Sequence, residues 1–180
     1  MEKAQAWFQL VQLSDSELLK LCTRDFFKGT GAGGQKKNKT ASGVRLTLDG
    51  LQVYESQARS KDDNQKKSLK KLRLALASQF LEGDKVISEK LRELHPAPET
   101  LILPYVQSSF LRINEKNSDF PLVIGGIFDL IAGAEGDLEK VSEILSVSKS
   151  QIHKFFDKHP SLKESFGKLK KYCYNQYNHE

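Results

Sequence analysis

Val44, Leu46 and Leu48 alternate with Arg45 and Thr47, the period-two pattern of a half-buried strand. Asp49-Gly50 follows, a dipeptide suited to positive φ at both centres of a turn, and Leu51-Gln52-Val53-Tyr54 then alternates again. The pattern predicts a β-hairpin with a type I′ turn. Upstream, Ser14 and Glu17 have capping-box spacing ahead of Leu18, Leu19 and Leu21, which predicts a short helix. Arg24 to Lys28 is a candidate short strand leading into a loop. Downstream, Ser60 followed by Asp63 opens a longer helix in which Leu69, Leu72, Leu76 and Phe80 recur at helical spacing, with Gly83 near its end. His95-Pro96-Ala97-Pro98 and Pro104 predict an irregular connection.

From Phe120 onward the pattern is wholly helical. The apolar run from Phe120 to Ala134 is too short to span a bilayer and contains Asp129, so it predicts a buried helix. Further helices are expected over 137–145, 149–156 and 161–174, with a turn at Ser146-Val147-Ser148. The expected fold is α+β: a β-hairpin sheet with packed helices over residues 1–90, a linker over 91–118, and an α-helical module over 119–180.

Composition narrows the class. Hydrophobic residues at 38% and charged residues at 28% suit a soluble globular chain. Cys22 and Cys173 stand far apart without metal-ligand spacing, so a reduced intracellular protein with no metal is expected. The N-terminus lacks a signal-peptide pattern, and the expectation is a cytoplasmic monomer with no membrane partner. The net charge of +5 hides an asymmetry: Lys20 to Arg73 holds 14 Lys and Arg against 5 Asp and Glu, and the remaining residues hold 14 against 18. Such a segment is the footprint of a polyanion-binding face, or else an ordinary solvated surface. Charge alone leaves both open.

Inside the basic segment, residues 29–34 hold four glycines in six positions, more backbone entropy than a helix or strand tolerates. Gly29-x-Gly31-x-x-Gly34 has the spacing of a dinucleotide-binding turn. That turn needs a helix directly after it, whereas Gln35-Lys36-Lys37-Asn38-Lys39-Thr40 leads into the hairpin. A phosphate-binding P-loop needs Lys and Ser or Thr after the last glycine, where Gln35 stands.

Gly31-Ala32-Gly33-Gly34-Gln35, then Asn38-Lys39-Thr40, Ser42 and Val44-Arg45-Leu46-Thr47, resembles the catalytic domain of class I peptide chain release factors. The likeness continues through Gln57-x-Arg59-Ser60 and Asn64, and spans roughly residues 14–82. It implies a ribosome-dependent peptidyl-tRNA hydrolase needing no cofactor. Gly33, Gly34 and Gln35 would be catalytic, with the Gln35 backbone N–H directed at the ester of the terminal adenosine and its side chain shaping the position of the water. Lys36, Lys37, Lys39, Arg45, Arg59, Lys61, Lys66 and Lys67 would contact RNA phosphates. Gly31, Asn38, Thr40, Ser60 and Asn64 would shape the loop, with Arg59 and Asn64 either tying helix to loop or contacting RNA. The family often has His where Leu48 stands, which removes one polar contact near the hairpin tip. His95, His153, His159 and His179 lie outside the matched segment and are expected to be ordinary surface or helix residues.

Only 32 residues precede Gly33 and no β-rich recognition domain is evident, so a short, codon-independent member acting in ribosome rescue is expected. Its partners would be the large ribosomal subunit, ribosomal RNA and peptidyl-tRNA. The end of the chain has only Lys168, Lys170 and Lys171 among tyrosines, unlike the strongly basic tail of one rescue group. Val141, Ser142, Leu145, Val147, Ile152 and Phe155 instead occupy helix-turn-helix positions, with Ser146 where glycine is commoner at the turn. The same spacing fits a plain three-helix unit. The alternative function is a non-enzymatic nucleic-acid-binding regulator that works through this module.

Overall fold

The computed structural model describes residues 3–28, 41–78 and 97–177. The glycine-rich loop, Phe80, Gly83, His95 and His179 lie outside the described residues. The chain divides into two compact units, Gln9–Leu76 and a second made of Met1–Phe8 with Ala77–Glu180.

The first unit is an antiparallel sheet backed by a helix. Helix α1 covers Lys3–Gln12, and α2 covers Asp15–Leu21. The capping box expected at α2 is present: the Ser14 hydroxyl accepts from the Glu17 N–H, and the Glu17 carboxylate accepts from the Ser14 N–H at 2.9 Å. Strands β1 (Thr23–Phe27), β2 (Gly43–Leu48) and β3 (Leu51–Glu55) pair in that order. The β2–β3 turn has φ of 48° at Asp49 and 82° at Gly50, the two positive values a type I′ turn requires.

Register fixes the two faces of the sheet. Val44 lies opposite Phe26 and Glu55, and Leu46 opposite Arg24 and Val53, so Val44, Leu46 and Leu48 share one buried face. Helix α3 (Lys61–Ala77) supplies the matching apolar face with Leu69, Leu72 and Leu76. Its buried Ser68 donates to the Val44 carbonyl at 3.3 Å. Arg73 holds the α1–α2 junction to α3, donating to the carbonyls of Val11 (3.2 Å) and Leu13 (2.7 Å) and pairing with Asp15 at 2.8 Å.

The second unit is mainly helical. Helix α4 (Pro98–Ile102) runs into a 3-10 turn at Leu103–Tyr105, and β4 (Val106–Gln107) pairs with β5 (Phe110–Leu111). This stretch, expected to be irregular, holds a ribbon because Ser108 and Ser109 take φ of 50° and 63° without glycine. Helix α5 covers Phe120–Gly133 and is buried nearly all round, as its composition predicts. Trp7 packs on it at Gly125, where a Cβ would stand 2.2 Å from the indole carbons.

Asp137 caps α6 (Leu138–Leu145), and Ser146 closes that helix at φ 51°, with the Val147 N–H donating to the Ser142 carbonyl at 3.1 Å. Ser148 caps α7 (Lys149–Asp157), and α8 (Pro160–Tyr177) follows. Phe156 and Phe166 stack 4.2 Å apart between α7 and α8. No helix among the described residues is long and apolar enough to cross a membrane.

Candidate functional site

The candidate loop joins two neighbouring antiparallel strands. Phe27 ends β1 directly opposite Gly43, which begins β2, so residues 28 and 42 bound the connection side by side. A dinucleotide-binding turn joins parallel strands through a helix, and antiparallel pairing removes that option.

Asn64 fixes the root of this connection. Its side chain is wholly buried, and its amide donates to the Ser42 carbonyl at 2.7 Å and to the Ala58 carbonyl at 3.0 Å. Its own carbonyl accepts from the Ala58 N–H at 2.8 Å. One residue in the first turn of α3 therefore holds both the entry to β2 and the segment leading into α3. Ser60 opens that helix, with its hydroxyl accepting from the Asp63 N–H at 3.4 Å and its carbonyl accepting from the Asn64 N–H at 3.1 Å.

The other end of the 56–58 segment is pinned by Glu55, which is 5% exposed. Its carboxylate accepts from the N–H groups of Ser56 (3.0 Å) and Gln57 (2.9 Å) and pairs with Lys71 at 2.8 Å. Burial pushes the Glu55 pKa up, but the hydrogen bonds and the Lys71 charge outweigh it, and the net shift is downward. Lys71 also donates to the Tyr54 carbonyl at 3.2 Å.

Of the expected RNA contacts, Lys36, Lys37 and Lys39 lie outside the described residues, as do Gly31, Gly33, Gly34, Gln35, Asn38 and Thr40. Arg45, Arg59, Lys61, Lys66 and Lys67 are all exposed. Arg45 stands on the face of β2 turned away from α3, with its guanidinium carbon 5.9 Å from the centre of the Phe27 ring. Lys66 and Lys67 occupy the solvent side of α3, and Lys61 places its Nζ 3.4 Å over the exposed Phe26 ring.

The aromatic partners were not singled out by sequence, because Phe26 and Phe27 look like ordinary strand residues. Gly43 was missed too: a Cβ there would meet the Phe27 ring at 2.8 Å, so the glycine makes room for that ring. Outside this unit, His159 bonds Glu115 at 2.5 Å and packs against Phe120 and Phe155, as an ordinary helix-end residue does. No group of three or more potential metal ligands occurs among the described residues.

The RF-1 domain family model matches residues 11–97, the segment that holds the sheet, α3 and the candidate loop. Residues 11–97, a little under half of the chain, thus match the RF-1 domain, and the chain resembles class I peptide chain release factors. It is 29% identical over 133 residues to peptide chain release factor 2 of Paramagnetospirillum magneticum, an alignment covering 69% of this chain and 35% of that one. Release factor 2 of a Caulobacter species is 32% identical over 119 residues, covering 61% and 32% respectively. The human mitochondrial peptide chain release factor 1 is 28% identical over 138 residues, covering 75% and 31%. The release factor-like chain thus spans about a third of the length of the curated relatives it matches. No solved structure matches it.

Proposed function

We propose that this release factor-like protein hydrolyses the ester of peptidyl-tRNA on the ribosome without reading a stop codon, as a cytoplasmic monomer in ribosome rescue. The observation that carries the proposal is the anchored root of the loop: β1 and β2 present it from adjacent strand ends, and Asn64 ties Ser42 to the helix behind. A backbone donor that has to meet a developing oxyanion works best from a rigid base.

In this mechanism Gly33 and Gly34 allow the backbone to approach the terminal adenosine closely. The Gln35 N–H then stabilises the oxyanion, or the leaving 3′-oxygen, as water attacks the ester carbonyl. The carbon–oxygen bond to the ribose breaks, the 3′-oxygen takes a proton, and the peptide leaves as a carboxylate. One such donor contributes about 10²–10³-fold in rate. Any base comes from the substrate or from ribosomal RNA. Lys36, Lys37 and Lys39 neutralise phosphates along the entry path, while Arg45, Arg59, Lys61, Lys66 and Lys67 meet RNA on the two exposed sides of the unit.

The described residues of the second unit form helices and one short ribbon. Its α6–turn–α7 pair would serve as a helix-turn-helix-like docking element for the ribosome. Release from ribosomes whose message lacks a stop codon tests the proposal, with isolated large subunits in parallel. Peptide release without a stop codon is expected. No release in either preparation would remove the activity, and release only with a stop codon would remove its codon independence.

A further inference from the structure

We propose that the open face of the three-stranded sheet is a stacking platform for unpaired RNA bases, centred on Tyr54. The inference rests on the ribosomal reading for its choice of RNA over other polyanions. An antiparallel sheet with one face packed on a helix ordinarily turns polar residues to water on the other. Here register places Thr23, Asp25 and Phe27 of β1, Arg45 of β2, and Gln52 and Tyr54 of β3 on the face away from α3. Tyr54 is 66% exposed, and its ring is not needed by the core.

Tyr54 stands directly across from Arg45, and the Arg45 guanidinium carbon is 5.9 Å from the Phe27 ring centre on the far side. The order across the sheet is therefore ring, guanidinium, ring. Tyr54 and Arg45 are exposed and offer flat surfaces to a base, with the half-buried Phe27 ring beside them, and stacking of this kind tolerates any base identity. Adjacent strands lie about 4.8 Å apart, so Tyr54 on β3 stands about two strand spacings from Phe27 on β1.

Charge favours bases over a dense row of phosphates on this face. Arg45 lies level with Asp25 on β1, so the face itself is close to neutral. The attraction for a polyanion comes from the surrounding segment, with its 14 basic against 5 acidic residues. A duplex offers phosphates but hides its base faces, whereas a single strand offers both.

The test uses the full chain, a fluorescent oligouridine, and a fully paired RNA duplex of equal length. Tyr54→Ala should weaken oligouridine binding roughly 5- to 150-fold, the range for loss of one base–aromatic stack. Tyr54→Phe should restore it, the salt dependence should keep its slope, and duplex binding should be unchanged. Equal affinity in Tyr54→Ala and wild type would overturn the inference. So would an equal loss on duplex, absence of oligouridine binding by the wild type at low salt, or altered self-association in Tyr54→Ala with RNA affinity intact. Peptide release by the wild type, measured alongside, separates the two ideas. Release with Tyr54-independent RNA binding sinks only the platform, and Tyr54-dependent binding without release sinks only the hydrolase.

Discussion

Asn64 uses both amide hydrogens and its carbonyl oxygen inside the fold, on Ser42, on Ala58 and on the Ala58 N–H. Replacement by Ala leaves two carbonyls and one N–H short of a partner in a buried setting, which costs about 2–4 kcal/mol of unfolding free energy. Urea unfolding of Asn64→Ala should show that loss, and peptide release should fall with it. A change below about 0.5 kcal/mol would place Asn64 among ordinary surface residues instead. Asn64 was legible in the sequence because it stands at a motif position. The contact that makes Gly43 necessary was not legible, since it depends on where the Phe27 ring lies across the strand pair.

At the scale of elements, the two units respond to pH in opposite senses. Burial in α5 pushes the Asp129 pKa from its usual 3.8 to about 7, with the Trp7 indole beside it drawing it part of the way back. The folded unit then holds a proton that the unfolded chain gives up, so stability falls as pH rises from about 4 to 7. The loss is bounded by about 4 kcal/mol. Glu55, at the end of β3, has a lowered pKa: its contribution is present above the usual carboxylate range and is lost as pH falls through the lowered value.

Trp7 is the only tryptophan in the chain, so its fluorescence follows the helical unit during unfolding. The expected outcome is a transition that moves to lower denaturant between pH 5 and 7, and a flatter profile in Asp129→Asn. A profile that rises over that interval would contradict the assignment of Asp129. The hairpin was legible from its period and its Asp49-Gly50 turn, α2, α6 and α7 from their period and side-chain caps, and α5 from its apolar run. Helix α1 lacks a capping signal, and its apolar Trp7, Leu10 and Val11 serve two different units. The β4–β5 ribbon was hidden because serines stand where glycine or asparagine usually marks the turn.

For the whole molecule, the chemistry legible in the sequence is concentrated in one short segment of the basic unit. Residues 29–40 announce themselves by glycine content and by the motif around Gln35, while the described residues show how their root is held. The net basic charge belongs to this unit, and the helical unit carries more acid than base, so RNA affinity is argued unit by unit rather than from the pI.

Gln35→Ala tests the central claim most directly. The variant, incubated with ribosomes carrying peptidyl-tRNA and no stop codon, should release peptide at least about 10²-fold more slowly than the wild type, because the side chain that positions the water is gone although the backbone donor remains. Its co-sedimentation with ribosomes should stay at the wild-type level. Undiminished release by Gln35→Ala and also by Gln35→Pro, which removes the backbone N–H, would show that the chemistry does not lie in the Gly33-Gly34-Gln35 loop.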